Sequence, residues 1–289
     1  MSLSDTKIKE LELQANEIRQ SIIEALLEAK SGHTAGPLDM ADIFTYLYFH
    51  ALKHDPKNPS WEERDRVVLS NGHICPVLYA TMAHAGYFPV DEFKKTLRKF
   101  GSRFQGHPHR EFMPELESSS GPLGSGLSQS VGMALADRID KGKTSSRQFY
   151  CLTGDGELDE GQNWEAIMLA GKERLQNVTV FVDRNNIQID GFTEDVMPLN
   201  PLADKWRSFN WHVQEIDGHN FKMIDDAVGQ AQAVFDKPSV VIANTIASKG
   251  VPEFERMFEW HGKPPNKEEA EIALRALRTW GGKIKAEHE

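Results

Sequence analysis

An α/β fold, doubly wound around a mainly parallel sheet with helices on both faces, is predicted by three features of this 289-residue sequence. Apolar runs of strand length alternate with amphipathic stretches of helical length. Several of those runs end in glycine-bearing turns, among them Gly154-Asp155-Gly156. The stretch from Phe149 to Gly191 holds a complete strand–helix–strand unit. A right-handed crossover makes its two strands parallel and brings their carboxyl ends to one sheet edge, where open α/β sheets bind ligands.

In chain order, Asp5 to Lys30 reads as an amphipathic helix, with Leu11, Ile18, Ile22, Leu26 and Ala29 on one face and Gly32 as its left-handed cap. Leu38 to Leu52 reads as a second helix whose aromatic residues belong to the core or a subunit interface. Arg66 to Ser70 is a strand with Asn71-Gly72-His73 at its carboxyl end. Gly101 to Gly126 is a loop rich in glycine, serine and proline, and structureless loops of that length are usually functional. A helix from Leu127 to Lys141 follows. In the central unit, strands 149–152 and 178–182 flank a helix with Trp164, Ile167, Met168, Gly171 and Leu175 on one face. Strands at 212–216 and 239–246, a short helix near 205–209, helix 221–235 and a last helix 267–280 continue the alternation. Residues 1–289 thus read as a single domain with an amino-terminal helix and a carboxyl-terminal helical extension.

The composition is that of an ordinary soluble protein, 39% hydrophobic and 26% charged. A formal net charge of −10 without a basic stripe argues against nucleic-acid binding. Cys75 and Cys151 lie in apolar runs, so buried thiols and a reducing cytoplasm are expected. The polar start lacks a signal-peptide core, and no apolar run is long enough to cross a membrane.

The chemistry concentrates at the two strand tips of the central unit. Asp155 offers a carboxylate, Asn185 an amide oxygen and the backbone near Ile187 a carbonyl. That is a donor set for a hard cation such as Mg²⁺ whose shell a phosphate completes. Gly154 and Gly156 allow close backbone approach to a phosphate, and the following helix turns its positive end toward it. GDG followed, after residues 157–184, by Asn-Asn is far more specific than a lone Asp-Gly turn.

At these residues the chain resembles the thiamine diphosphate enzymes, and GDGELDEGQNWEA is similar to the transketolase version. The fold implied is the diphosphate-binding (PP) domain, with thiamine diphosphate and Mg²⁺ as cofactors and Ca²⁺ or Mn²⁺ as substitutes. In that family Glu160 and Glu165 belong to a glutamate network joining two cofactor sites. SGHTAGPLDMADI resembles the segment whose histidine, here His33, faces the reactive ring and the substrate, although Thr34-Ala35 replaces the usual Pro-Gly. LSNGH implies that His73 binds diphosphate, and the Gly-His-Pro segment puts His107 at the substrate channel. Gly121, Pro122 and Leu123 match the segment that holds the pyrimidine and thiazole. His261 matches a histidine near diphosphate and substrate. Lys249 is a candidate for phosphate or substrate, or simply a solvated lysine. His109 carries little weight, and His219 reads as structural. A zinc site would be the competing use of the histidines, but only His107 and His109 are close in sequence.

The resemblance runs from about Ser21 to Pro265 and covers only the amino-terminal half of a transketolase. The glutamate that assists ionisation of the cofactor belongs to the family's pyrimidine-binding (Pyr) domain, and no part of this sequence resembles that domain. The implied protein is therefore the amino-terminal subunit of a split transketolase. A separately encoded carboxyl-terminal subunit would complete it in an α2β2 assembly, which would move a two-carbon ketol unit between sugar phosphates. His33, His107 and His261 would contact sugar oxygens, with pKa values near neutrality suited to proton movement. Alternatives are a transketolase for an unusual phosphorylated or sulfonated sugar, the α subunit of a 2-oxo-acid dehydrogenase, and a non-catalytic scaffold.

Overall fold

The computed structural model describes residues 3–142 and 145–287. Among them, the main sheet comprises β1 (Arg66–Leu69), β2 (Phe149–Gly154), β3 (Val178–Arg184), β6 (His212–Asp217) and β7 (Ser239–Asn244). A two-stranded antiparallel ribbon, β4 (Ile187–Gln188) with β5 (Gly191–Phe192), follows β3 directly. The main sheet is parallel throughout, in the order β1-β2-β3-β7-β6.

Side-chain alternation along these strands feeds two cores. Tyr150, Leu152, Phe181 and Val241 point to the face covered by α1 (Asp5–Ala29), α3 (Ala41–Tyr46), α4 (Cys75–His84), α10 (Phe221–Ala233) and α11 (Lys267–Glu287). Cys151, Val180, Val182 and Ile242 point to the face covered by α6 (Ser125–Lys141), α7 (Gly161–Glu173) and α9 (Leu202–Ser208). Two short helices, α5 (Val90–Thr96) and α8 (Thr193–Val196), lie in the connections. The two-sided burial explains why β2 and β3 read as nearly unbroken apolar runs. Each fully buried residue of this kind contributes roughly 1.5–3 kcal/mol. The edge strand β6 is mostly half-exposed.

Four expectations are corrected. The left-handed cap of α1 is Lys30, at φ 53°, rather than Gly32. Gly32 is needed for another reason: a Cβ there would sit 2.6 Å from the Leu26 side chain. The predicted helix 38–52 is interrupted: α2 (Ala35–Asp39) and α3 are followed by a π turn, Leu47–Ala51. On α7 the buried stripe runs through Asn163, Ala166, Ile167, Ala170 and Gly171, leaving Met168 53% exposed on the outer face. The last helix continues past Trp280 to Glu287 because Ile284 is buried and Gly281 allows close approach to Asn16 on α1. The Asn16 amide also donates to the Leu277 carbonyl at 2.9 Å. Among the described residues no helix is long and apolar enough to cross a membrane.

The packing leaves the carboxyl tips of β1, β2 and β3 side by side. Into the space above them reach the segment after α1, the loop before α6 and the segment after β7.

Candidate active site

These tips and loops enclose a cleft of about 300 Å³. The β2 tip supplies Asp155, which is 1% exposed. Its Oδ1 accepts from the Gly156 N–H at 2.8 Å, and its Oδ2 from the Asn186 N–H at 2.8 Å and the Arg184 guanidinium at 3.1 Å. Burial pushes its acid up to about 6, against the pull of Arg184. The β3 tip supplies Asn185, whose Oδ1 accepts from the Ile187 N–H at 3.0 Å. Asp155, Asn185 and Ile187 all line the cleft with Gly154 and Gly156. One carboxylate and two amide-type oxygens suit a hard cation, and Asp155 Oδ1 and Asn185 Oδ1, which each accept one hydrogen bond, retain lone-pair capacity.

Four histidines line the same cleft. The rings of His33, His73 and His261 form a triangle with centroid separations of 4.8, 5.2 and 5.6 Å. His107 lies against Gly121, where a Cβ would meet its ring at 3.6 Å. Thr34, the first of the two residues that depart from the family pattern, donates its hydroxyl to the Lys263 carbonyl at 2.6 Å. It thereby fastens the His33 segment to the His261 segment. Among the described residues no group of three or more His, Cys, Asp or Glu side chains could hold a metal ion.

The histidine electrostatics differ from the expectation of near-neutral pKa values. Burial drives His33 down to about 4, helped by His261, Arg98 and His107. Burial also holds His73 well below its usual value and lowers His107 and His261. At neutral pH all four are uncharged imidazoles that can donate or accept a hydrogen bond. His33 Nδ1 is buried with no partner inside the chain, as expected of a group reserved for a ligand. Between its folded value and about 6.5, His33 binds fewer protons in the folded state than in the unfolded state, so stability falls as pH drops through that window. Relative to His33→Gln, the native protein is expected to lose about 2–3 kcal/mol between neutral pH and about pH 4. Denaturant unfolding of both proteins at several pH values checks this; parallel curves would contradict it.

Three buried acids escaped sequence analysis. Glu157, 3% exposed, accepts from Ser70 Oγ at 2.5 Å, the Gly124 N–H at 2.7 Å and the Gly154 N–H at 3.1 Å. It joins the loops that follow β1, precede α6 and follow β2, and burial raises its acid to about 7. Asp183 and Asp39 meet at Asn185. Burial raises both, Asp183 to about 7; the Asp183 carboxyl raises Asp39 further, and the Asp155 carboxyl raises Asp183. A carboxylate within or beside an apolar run was the only available signal.

Of the other predicted residues, one more lines the cleft and the rest fall outside it. Leu123 lines the cleft and is 37% exposed, whereas Pro122 stands beside the lining. Glu160 and Glu165 are exposed outside the cleft. Lys249 does not line it: its ammonium lies 5.7 Å from the Trp280 ring centroid, over a separate groove of about 440 Å³. That groove contains none of the strand-tip residues. His109 packs on Phe112, also away from the cleft. His219 is structural, as expected: its Nε2 accepts from the Ile246 N–H at 2.8 Å, so its Nδ1 donates to Asp42 at 2.7 Å.

Residues 11–285 match the family model for the transketolase thiamine diphosphate binding domain. The chain belongs to the transketolase family. This transketolase-family chain is 43% identical over 272 residues to the 6-deoxy-6-sulfo-D-fructose transketolase subunit SqwG of Clostridium sp. (strain MSTE9), covering 94% of this chain and 98% of that subunit. It is 40% identical to an apulose-4-phosphate transketolase subunit of Actinobacillus succinogenes, covering 93% and 96% of the two. The crystal structure of transketolase from Campylobacter jejuni superimposes with a TM-score of 0.82 at 32% identity, over 96% of this chain but 48% of that one. The chain therefore corresponds to the amino-terminal, cofactor-binding part of longer transketolases and spans about half the length of that solved chain.

The cleft fits thiamine diphosphate and a divalent cation on its own chemistry. It combines an all-oxygen donor set, glycines at the strand tip and an unpartnered buried imidazole nitrogen.

Proposed function

We propose that this chain is the amino-terminal subunit of a thiamine diphosphate- and Mg²⁺-dependent transketolase, working in the cytoplasm. It would move a two-carbon ketol unit from a ketose phosphate to an aldose phosphate. The observation that carries the reading is the meeting of Asp155 and Asn185 with four neutral histidines in one cleft. Asp155, Asn185 and the Ile187 carbonyl would hold the cation. His73, Gly154, Gly156 and the Gly121-Pro122-Leu123 segment would seat the cofactor. The cofactor supplies the carbon nucleophile for ketol transfer. His33, His107 and His261 would orient sugar hydroxyl and carbonyl oxygens as neutral hydrogen-bonding groups and pass protons among them.

Residues 1–289 form one cofactor-binding domain in this reading, with a carboxyl-terminal subunit supplying the pyrimidine side of the site. An α2β2 assembly follows if two such pairs share the family's double site. Exposure of Glu165, Met168 and Leu169 along one side of α7, and of Glu160 at its amino-terminal cap, supports a covered surface there. So does exposure of Ile189, Phe192 and Met257.

A second reading concerns the sugar. The 43% identity to a subunit named for 6-deoxy-6-sulfo-D-fructose favours a sulfonated ketose as donor in place of a phosphorylated one. Ketol-transfer assays with the companion subunit present, comparing kcat/KM for sulfonated and phosphorylated donors, separate the two. Pyruvate decarboxylation by the same pair would favour a 2-oxo-acid dehydrogenase instead.

A further inference from the structure

We propose that Asp39 is a positioning residue: together with Asp183 it clamps the Asn185 carboxamide and aims its oxygen at the bound cation. The inference rests on the reading of Asn185 as a cation ligand.

A terminal carboxamide can face either way unless its hydrogen-bond partners decide. Here they decide. Asn185 Nδ2 donates to Asp39 Oδ2 at 3.1 Å and to Asp183 Oδ2 at 3.0 Å. Reversal would set the carboxamide oxygen against two acid oxygens. The opposite side is fixed as well, because Asn185 Oδ1 accepts from the Ile187 N–H at 3.0 Å. One orientation therefore satisfies every partner.

The two acids hold the carboxamide from different directions. Asp183 lies on β3 and is anchored by the Thr245 hydroxyl, which donates to its Oδ1 at 2.5 Å. Asp39 comes from the end of α2, the helix that begins two residues after His33. It is wholly buried, and its Oδ1 has no partner. Burying such a group costs free energy, and an apolar side chain would pack there at less cost. The site therefore calls for an explanation beyond packing, and the hold on Asn185 provides one. It also ties the segment carrying His33 to the cation side of the cleft, so the two halves of the site are set by one contact. Outer groups that orient a metal ligand typically change metal affinity by about 10- to 100-fold.

The test is calorimetric titration of Mg²⁺ into the two-subunit complex at saturating thiamine diphosphate. Asp39→Leu keeps the branched shape, though with larger methyl groups, but removes the acceptor, and the half-saturating Mg²⁺ concentration is expected to rise about tenfold or more. Asp39→Asn keeps an acceptor oxygen for Asn185 and is expected to stay within about twofold of wild type. If Asp39→Leu fails to fold by circular dichroism, Thr245→Val, which loosens Asp183, carries the test with an expected rise of about threefold or more. Unchanged Mg²⁺ dependence in the folded variants, or equal losses in the Leu and Asn variants, would overturn the clamp. A wild-type complex that takes up no cofactor with Mg²⁺ would overturn the underlying reading instead.

Discussion

Asp155→Ala abolishes Mg²⁺-dependent thiamine diphosphate uptake by the two-subunit complex, and ketol transfer falls by about a thousandfold or more. Asp155 is the sole acid side chain in the proposed donor set of Asp155, Asn185 and Ile187. Its removal leaves two neutral oxygens, too few to hold a strongly hydrated cation against water. The same change strips the buried Arg184 of a carboxylate 3.1 Å away, although Glu194 still pairs with that guanidinium. Breaking a buried pair costs about 3–5 kcal/mol, so lost binding must be separated from lost folding. Asp155→Asn keeps the side-chain volume and a neutral oxygen for the surrounding donors. It is expected to remain folded by circular dichroism yet to bind Mg²⁺ at least about a hundredfold more weakly by calorimetry. Wild-type uptake and activity in either folded variant would mean that the β2 tip does not hold the cation. A scaffold role predicts that outcome.

Glu157→Ala destabilises the chain by about 3–5 kcal/mol, equivalent to a fall of roughly 5–8 °C in Tm for a chain of this size. Three donors lose their acceptor at once: the Ser70 hydroxyl and the Gly124 and Gly154 N–H groups. Water has little access to replace it, since Glu157 is 3% exposed. The loss extends beyond stability, because those donors lie just after β1, just before α6 and at the carboxyl tip of β2. Cofactor affinity should therefore fall even below the melting transition. Glu157→Gln retains one acceptor oxygen and should lose about half as much stability. Differential scanning calorimetry of the three proteins, followed by cofactor titration well below Tm, checks both parts. A Glu157→Ala protein melting within about 2 °C of wild type would show that other contacts join the loops.

The strand–helix–strand centre was legible because parallel strands buried on both faces leave nearly continuous apolar runs, as in 149–152 and 178–182. Ligand-bearing turns were legible because Gly154, Gly156 and Gly121 stand in local patterns that need no knowledge of distant contacts. The histidines were legible one by one, but their assembly was not. His33, His73, His107 and His261 are far apart in the chain, and only the fold brings them to one cleft. Their charge state was illegible for the same reason, since burial depresses their pKa values and burial is a property of the fold. Asp39, Glu157 and Asp183 passed unnoticed because a buried acid within a motif looks the same on paper as a surface acid. The misplacement of Met168 has a simpler origin: one residue along a helix is a turn of about 100°, enough to move an apolar side chain from core to surface. Lys249 was ambiguous from the start, and its position over Trp280 removes it from the cleft.

The most direct measurement compares ketol transfer by the purified chain alone, by its carboxyl-terminal companion alone and by the two together, each with Mg²⁺ and thiamine diphosphate. A division of the site between two polypeptides predicts turnover only for the mixture, saturable in either subunit and lost on chelation of the cation. Sugar turnover by the isolated chain would contradict it, because this chain would then have supplied the proton-removing acid itself.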